Sequence, residues 1–319
     1  MPTSANKNLH QAKNAKKDEF YTQLTDIENE LKHYKAHFKN KVVYCNCDDP
    51  RMSNFFHYFS YNFEDLGLKK LVTTCYQNQN RDLFSKHDAE RAIYLEYHGD
   101  QNKNRVPDID EIGVQYLKGD GDFRSEESIA LLQQADIVVT NPPFSLFSEY
   151  VAQLIAHNKK FVIIGNVNAI TYKEVFPLIK DNKIWLGYNC LRFFKKPDGS
   201  MYETARSYWY TNLDIAKRHE DLILYKPYTS EAYPKYDNYD AINVDKTKEI
   251  PMDYAGAMGV PITFLDKYNP EQFEILGLSA SAGYNQKIVG IPFIGIKDAR
   301  PIVNGKTVYA RVFIKNKRL

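Results

Sequence analysis

The chain has 319 residues, enough for two domains or for one domain with a large lobe, and its 43% hydrophobic content can build a sizeable core. Its 42 basic and 40 acidic residues nearly cancel, which excludes charge-driven disorder for the body of the protein. The net charge of +2 does not decide for or against nucleic acid, because a basic groove can sit on a nearly neutral molecule.

The opening residues Met1-Pro2-Thr3-Ser4-Ala5-Asn6-Lys7 lack the apolar run of a signal peptide, and apolar stretches such as 161–164 fall far short of a bilayer span. The expectation is a soluble, cytoplasmic protein with no membrane partner. Cys45, Cys47, Cys75 and Cys190 are too few for a disulfide framework, and a C-x-C pair lacks the spacing of a zinc knuckle. His33 and His37 share a helix face with no third ligand, so no metal is expected. No G-x-S-x-G elbow and no P-loop are present, which argues against a serine hydrolase and a nucleoside triphosphatase.

In chain order, residues 1–17 carry Lys7, Lys13, Lys16 and Lys17 without an acid and read as a flexible basic arm. Ile27, Leu31, Tyr34 and Phe38 recur at spacings of three and four, which predicts an amphipathic helix over 19–38. Short apolar runs then predict strands at 41–46, 70–76, 136–140, 160–165 and 183–187, with helices over 53–63, 128–134, 145–157 and 172–180 between them. Strand and helix alternate, so the chain up to about residue 190 reads as an open, mostly parallel α/β sheet, whose ligand belongs at the carboxyl ends of the strands. Beyond Cys190 the sequence turns to scattered Tyr, Pro, Asn and Asp. Strands are expected at 205–211, 288–296 and 307–314, and a helix over 270–276 opened by Asn269, in a smaller α+β lobe.

The sharpest chemical signal is Asn141-Pro142-Pro143-Phe144, directly after the strand at 136–140. Two prolines hold the turn rigid and remove backbone donors, leaving carbonyls to accept, and Asn141 adds a side-chain oxygen. One amide oxygen and one proline carbonyl suit the two hydrogens of an exocyclic amine on a flat ring, with Phe144 as a stacking face. An ordinary Asn-Pro-Pro turn beside a core phenylalanine is the plainer alternative.

The tetrapeptide looks like the catalytic motif of amino-methyltransferases that use S-adenosylmethionine. Together with Asp18-Glu19-Phe20-Tyr21-Thr22, Tyr44-Cys45-Asn46-Cys47-Asp48-Asp49-Pro50, Gly119-Asp120-Gly121-Asp122-Phe123-Arg124-Ser125 and Gly259-Val260-Pro261-Ile262-Thr263-Phe264, it resembles the EcoRI-type modification methylases, which methylate adenine in DNA. The resemblance implies a Rossmann-like methyltransferase sheet with helices on both faces, a cofactor-binding and catalytic domain over 18–189 and a target-recognition lobe over 190–319. It implies S-adenosylmethionine as cofactor, with Phe20 and Thr22 over its methionine part, Asp48 and Pro50 in the cofactor turn, and Asp122 with Phe123 at its adenine end. Asn141, Pro142, Pro143 and Phe144 would hold the target adenine, flipped out of double-stranded DNA.

Lys13, Lys16, Lys17, Lys315 and Arg318 are candidates for phosphate contacts, and Arg192 and Arg206 for base edges. Functional pairing with a restriction endonuclease of the same site and a monomeric state complete the expectation. Two departures from a nucleoside-binding fold stand out: no glycine-rich turn follows 42–46, and no acid ends the strand at 70–76, where Glu96 is the nearest substitute. The competing readings are an enzyme methylating RNA adenine or a protein glutamine through the same pocket, and a nucleic-acid-binding protein without catalysis.

Overall fold

The computed structural model of the protein describes residues 21–47, 53–75, 92–104, 107, 111–196, 199–279 and 300–319. The chain divides into two compact units, the first reaching to residue 167 and taking in 187–213, the second formed by 168–186 and 214–319.

The first unit is built on strands β1 (Val42–Cys45), β2 (Lys70–Thr74), β3 (Ile93–Tyr97), β4 (Gly113–Tyr116), β5 (Ile137–Thr140), β6 (Lys160–Asn166), β7 (Trp185–Lys195) and β8 (Met201–Thr211), in the order β4-β3-β2-β1-β5-β6-β8-β7. The four central strands β2, β1, β5 and β6 run parallel. They are short, rich in Val, Ile and Thr, and buried along nearly their whole length, as a sheet covered on both faces requires.

On one side β3 turns back antiparallel to β2 and β4 follows antiparallel to β3; on the other β8 runs antiparallel to β6. The sheet is thus mixed, where strand-helix alternation predicts a mostly parallel one. β4 is exposed at every position, so no apolar alternation marked it in the sequence.

The helices of this unit are α1 (Leu24–Leu31), α2 (Lys35–Phe38), α3 (Asn54–Tyr61), α4 (Phe63–Leu66), α5 (Glu126–Gln134) and α6 (Phe147–Ala156). The helix expected over 19–38 is broken at Lys32-His33-Tyr34, yet Ile27, Leu31, Tyr34 and Phe38 are all fully buried. Ser125 caps α5 by accepting from the Ser128 N–H at 3.2 Å. α6 buries Phe147, Tyr150, Val151 and Leu154, one stripe at helical spacing.

The second unit holds a sheet in the order β11-β14-β10-β9, with β9 at Ile242–Asn243, β10 at Met258–Pro261, β11 at Phe273–Leu278 and β14 at Arg311–Asn316. A small hairpin, β12 (Ile302–Val303) and β13 (Lys306–Thr307), turns through Asn304 and Gly305, both at positive φ. Helix α7 (Phe176–Lys180) packs against β11.

Three expectations change here. The segment read as a helix over 270–276 makes only one turn, with Asn269 Oδ1 accepting from the Glu271 N–H at 2.8 Å, and then becomes β11. Alternating burial of Phe273 and Ile275 against β14 outweighs the capping signal. The strand expected at 307–314 begins only at Arg311, and the one at 288–296 lies outside the described residues. The border expected near residue 190 falls inside β7, and β7 and β8 carry the first sheet on to Thr211.

Candidate active site

From β1 the chain crosses to β2 on one side, and from β5 to β6 on the other, so the strand order reverses between β1 and β5. The crevice at the carboxyl ends of these two strands is where an open α/β sheet takes its ligand. The two ends are tied together. The Thr140 hydroxyl donates to the Asn46 carbonyl, and the Tyr150 hydroxyl, brought up by α6, donates to Asn46 Oδ1.

Asn141-Pro142-Pro143-Phe144 leaves β5 at this point. Asn141 and Pro142 are buried, and Pro143 and Phe144 are partly exposed. The Leu146 N–H donates to the Pro143 carbonyl at 2.9 Å, closing a short 3₁₀ turn over Phe144–Leu146 that leads into α6. Among the described residues no N–H donates to the Pro142 carbonyl. The Phe144 ring meets the buried Phe194 ring edge-on, with centroids 6.0 Å apart. The turn therefore combines a buried amide, an accepting carbonyl and a half-open aromatic face.

The loop before α5 reaches the same end of the sheet through Gly121. Its φ is +80°, and a Cβ there would stand 2.2 Å from the carbonyl oxygen of Cys75, just past the end of β2. The close approach brings in Asp122 and Phe123. Arg124 binds both Asp122 oxygens, Oδ1 from Nε at 2.9 Å and Oδ2 from its second guanidinium nitrogen at 2.7 Å, and the Arg124 N–H adds 2.8 Å to Oδ1. Burial alone would push the Asp122 carboxyl up, but these bonds outweigh it and hold it below the ordinary value. Arg124 also reaches Glu149 on α6 at 3.0 Å and lies over the Phe123 ring at 5.3 Å. Phe123 packs edge-on against Tyr150 at 5.1 Å.

Thr22 belongs to this end as well. Tyr21 and Lys195 exchange backbone hydrogen bonds of 2.8 and 2.9 Å at the end of β7, and the Thr22 carbonyl accepts from Asn54 Nδ2 at 2.7 Å at the start of α3. The Thr22 hydroxyl is buried and has no hydrogen-bond partner among the described residues. Phe20, Asp48 and Pro50 lie outside the described residues, as do Lys13, Lys16 and Lys17.

The remaining basic candidates are dispersed. Arg192 on β7 and Arg206 on β8 are exposed and belong to the first unit, not to the distal one. In the second unit, Lys315 is exposed on β14, while Arg318 forms a two-pronged pair with Asp221 at 2.7 and 2.8 Å. Glu96, the substitute acid, pairs with Lys70 at 2.8 Å. Sequence reading overlooked Asn46, Thr140, Tyr150 and Arg124, whose roles rest on partners distant in the chain or on a salt bridge. Among the described residues no acid, histidine or cysteine group is arranged for a metal, and no helix is long and apolar enough to cross a membrane.

The family model described as adenine-specific methyltransferase EcoRI matches residues 8–317. The chain is 52% identical to the Type II methyltransferase M.EcoRI of Escherichia coli, over 99% of this chain and 98% of that protein. It is 39% identical to the Type II methyltransferase M.MgeORF184P of Mycoplasma genitalium, over 98% and 99%, and 38% identical to M.MpnI of Mycoplasma pneumoniae, over 86% of each. No solved structure matches the chain.

Proposed function

Because the chain belongs to the adenine-specific EcoRI methyltransferase family, we propose that it transfers a methyl group from S-adenosylmethionine to the exocyclic N6 amine of an adenine flipped out of duplex DNA. The observation that carries the reading is the rigid N-P-P-F turn at the carboxyl end of β5, beside the reversal of strand order, as in a Rossmann-like methyltransferase sheet.

The residues present suit the cofactor. Asp122 is an ionised acceptor whose Oδ2 takes one bond from Arg124 and keeps a lone pair for an amine, Phe123 offers an apolar wall, and the buried Thr22 hydroxyl has a hydrogen bond to give. When bound, S-adenosylmethionine supplies an electrophilic methyl on a cationic sulfur.

The protein's own part is positioning. An aromatic amine is a poor nucleophile because its lone pair is delocalised into the ring. Asn141 Oδ1 and the Pro142 carbonyl accept its two hydrogens, favour a pyramidal nitrogen and turn the lone pair out of the ring plane. Phe144 stacks on the base. Orientation and fixed dipoles supply most of the acceleration, and no covalent enzyme intermediate or strong general base is required. The relatives are named Type II methyltransferases, which fits a restriction-modification system with an endonuclease of the same site as partner, and one strand modified at a time is within the reach of a monomer.

The test is transfer of labelled methyl from S-adenosylmethionine to unmethylated duplex DNA, with RNA and protein acceptors alongside. Label on DNA adenine, lost in Asn141→Ala while cofactor binding persists, is the expected outcome. Label on RNA or protein alone, or full activity in Asn141→Ala, overturns the reading.

A further inference from the structure

The hairpin of β7 and β8 runs past the body of the sheet and carries side chains that the fold does not bury. From Tyr208 to Thr211 every side chain of β8 is covered. Toward the turn, Arg192, Phe193 and Lys195 on one strand and Met201, Tyr202, Glu203 and Arg206 on the other are all exposed. Phe193 is 46% and Met201 53% exposed, a large apolar area to leave in water.

The Lys196 N–H donates to the Ser200 carbonyl at 2.8 Å, which sets Lys195 opposite Met201. By strand alternation Phe193, Lys195 and Met201 then share one face, and Phe194 points to the other, where its ring meets Phe144 of the N-P-P-F turn. The hairpin is thus anchored on the base pocket by one face and bare on the opposite one. Residues 192–206 carry Arg192, Lys195, Lys196 and Arg206 against Asp198 and Glu203, and the Lys196 ammonium lies over the Tyr202 ring at 5.2 Å. Exposed apolar side chains interleaved with cations complement a polyanion with an apolar, stacked interior, which is the chemistry of duplex DNA.

We propose that this hairpin enters the duplex beside the target adenine, with Phe193 and Met201 filling the space the base vacates and Arg192, Lys195, Lys196 and Arg206 on the flanking phosphates. The inference rests on the reading that a DNA adenine is flipped into the Asn141 pocket. Flipping exposes the faces of the neighbouring base pairs, and an apolar side chain set between them restores part of the lost stacking. Both wedge residues stand on the element that packs against Phe144, so the gap is filled by the part of the protein that shapes the pocket.

The test uses the full-length protein and a short duplex carrying its own site, mapped first by sequencing DNA that it has methylated. Single-turnover rates are compared on the matched duplex and on one in which the target adenine faces an abasic position, where flipping costs little. The Phe193→Ala, Met201→Ala double variant is expected to lose about tenfold or more on the matched duplex and to come within about threefold of the unaltered protein on the abasic one. Equal losses on both duplexes, or none on either, overturn the wedge. A second pair, Arg192→Ala with Lys195→Ala, is expected to reduce the salt slope of DNA binding by about two, and an unchanged slope overturns the phosphate contacts. Absence of transfer to either duplex by the unaltered protein overturns the underlying reading, and the inference with it.

Discussion

Tyr150, on the helix that follows N-P-P-F, donates a hydrogen bond from its hydroxyl to Asn46 Oδ1 just past the end of β1, and Thr140, the residue before Asn141, donates to the carbonyl of the same Asn46. The residue that follows β1 is therefore held from both sides of the proposed catalytic turn. Tyr150 is fully buried, and burial pushes its phenol well above the ordinary value, so it stays a donor throughout the working pH range.

Tyr150→Phe keeps the ring against Phe123 and removes only the donor. A buried acceptor that loses its partner costs ~1–3 kcal/mol, so the unfolding midpoint should fall by a few degrees. Calorimetric titration should show S-adenosylmethionine bound several-fold more weakly, because the β1 turn loses one of its two anchors. Unchanged cofactor affinity alongside the lower midpoint would reduce the pair to a packing feature.

The Asp122–Arg124 pair sets a pH dependence. The Asp122 carboxyl is held below its ordinary value in the folded protein, because the Arg124 bonds outweigh burial. An acid with a depressed folded pKa contributes stability that is present above its unfolded pKa and is lost as pH falls through the folded one. Arg124→Ala leaves burial opposed only by the backbone bond, which moves the carboxyl upward. Cofactor affinity of the unaltered protein should stay flat from neutral into mildly acidic solution, while that of the variant should decline at a higher pH. Coincident affinity profiles would remove Asp122 from the cofactor site.

What the sequence disclosed and what it hid follow from the range of the interactions. The strands β1, β2, β5 and β6 are short runs rich in β-branched residues and buried along nearly their whole length, and the N-P-P-F turn is four adjacent residues, so both are written locally. The direction of β3 and the antiparallel place of β8 depend on which neighbour a strand pairs with, and no local pattern encodes that choice. The Asn46–Tyr150 bond joins residues 104 positions apart, and β11 is a strand only because β14 lies beside it. Phe193 and Met201, the proposed wedge, fall between the strands expected at 183–187 and 205–211, and only their exposure in the folded chain marks them.

Two glycines at positive φ allow a controlled comparison. At Gly305, with φ +74°, a Cβ would meet nothing within 4 Å, so Gly305→Ala should cost only the conformational strain of ~1–2 kcal/mol. Gly121→Ala adds a collision with the Cys75 carbonyl, which is backbone and cannot swing aside. Its loss in thermal unfolding should be clearly larger, and it should weaken S-adenosylmethionine binding while Gly305→Ala does not. Equal effects of the two substitutions would mean that the 119–124 loop moves freely from the end of β2.

Glu30 on α1 is buried among donors alone. Its carboxylate accepts from the Tyr34 hydroxyl at 2.8 Å, the Tyr188 N–H at 2.8 Å, the Asn189 N–H at 2.8 Å and Asn189 Nδ2 at 2.9 Å, binding α1 to β7. Glu30→Gln replaces one acceptor by an amide N–H₂ that faces donors whichever way it turns, at a cost of ~1–3 kcal/mol. The deficit should itself vary with pH. Burial pushes the Glu30 carboxyl up against the pull of those donors, so the unfolded chain releases this proton first and the folded state loses stability as pH rises between the two values. The glutamine variant lacks that term. Denaturant unfolding from acidic to neutral pH should therefore show the two proteins drawing closer as pH rises, and a gap that widens instead would show the folded carboxyl to be held down by its donors.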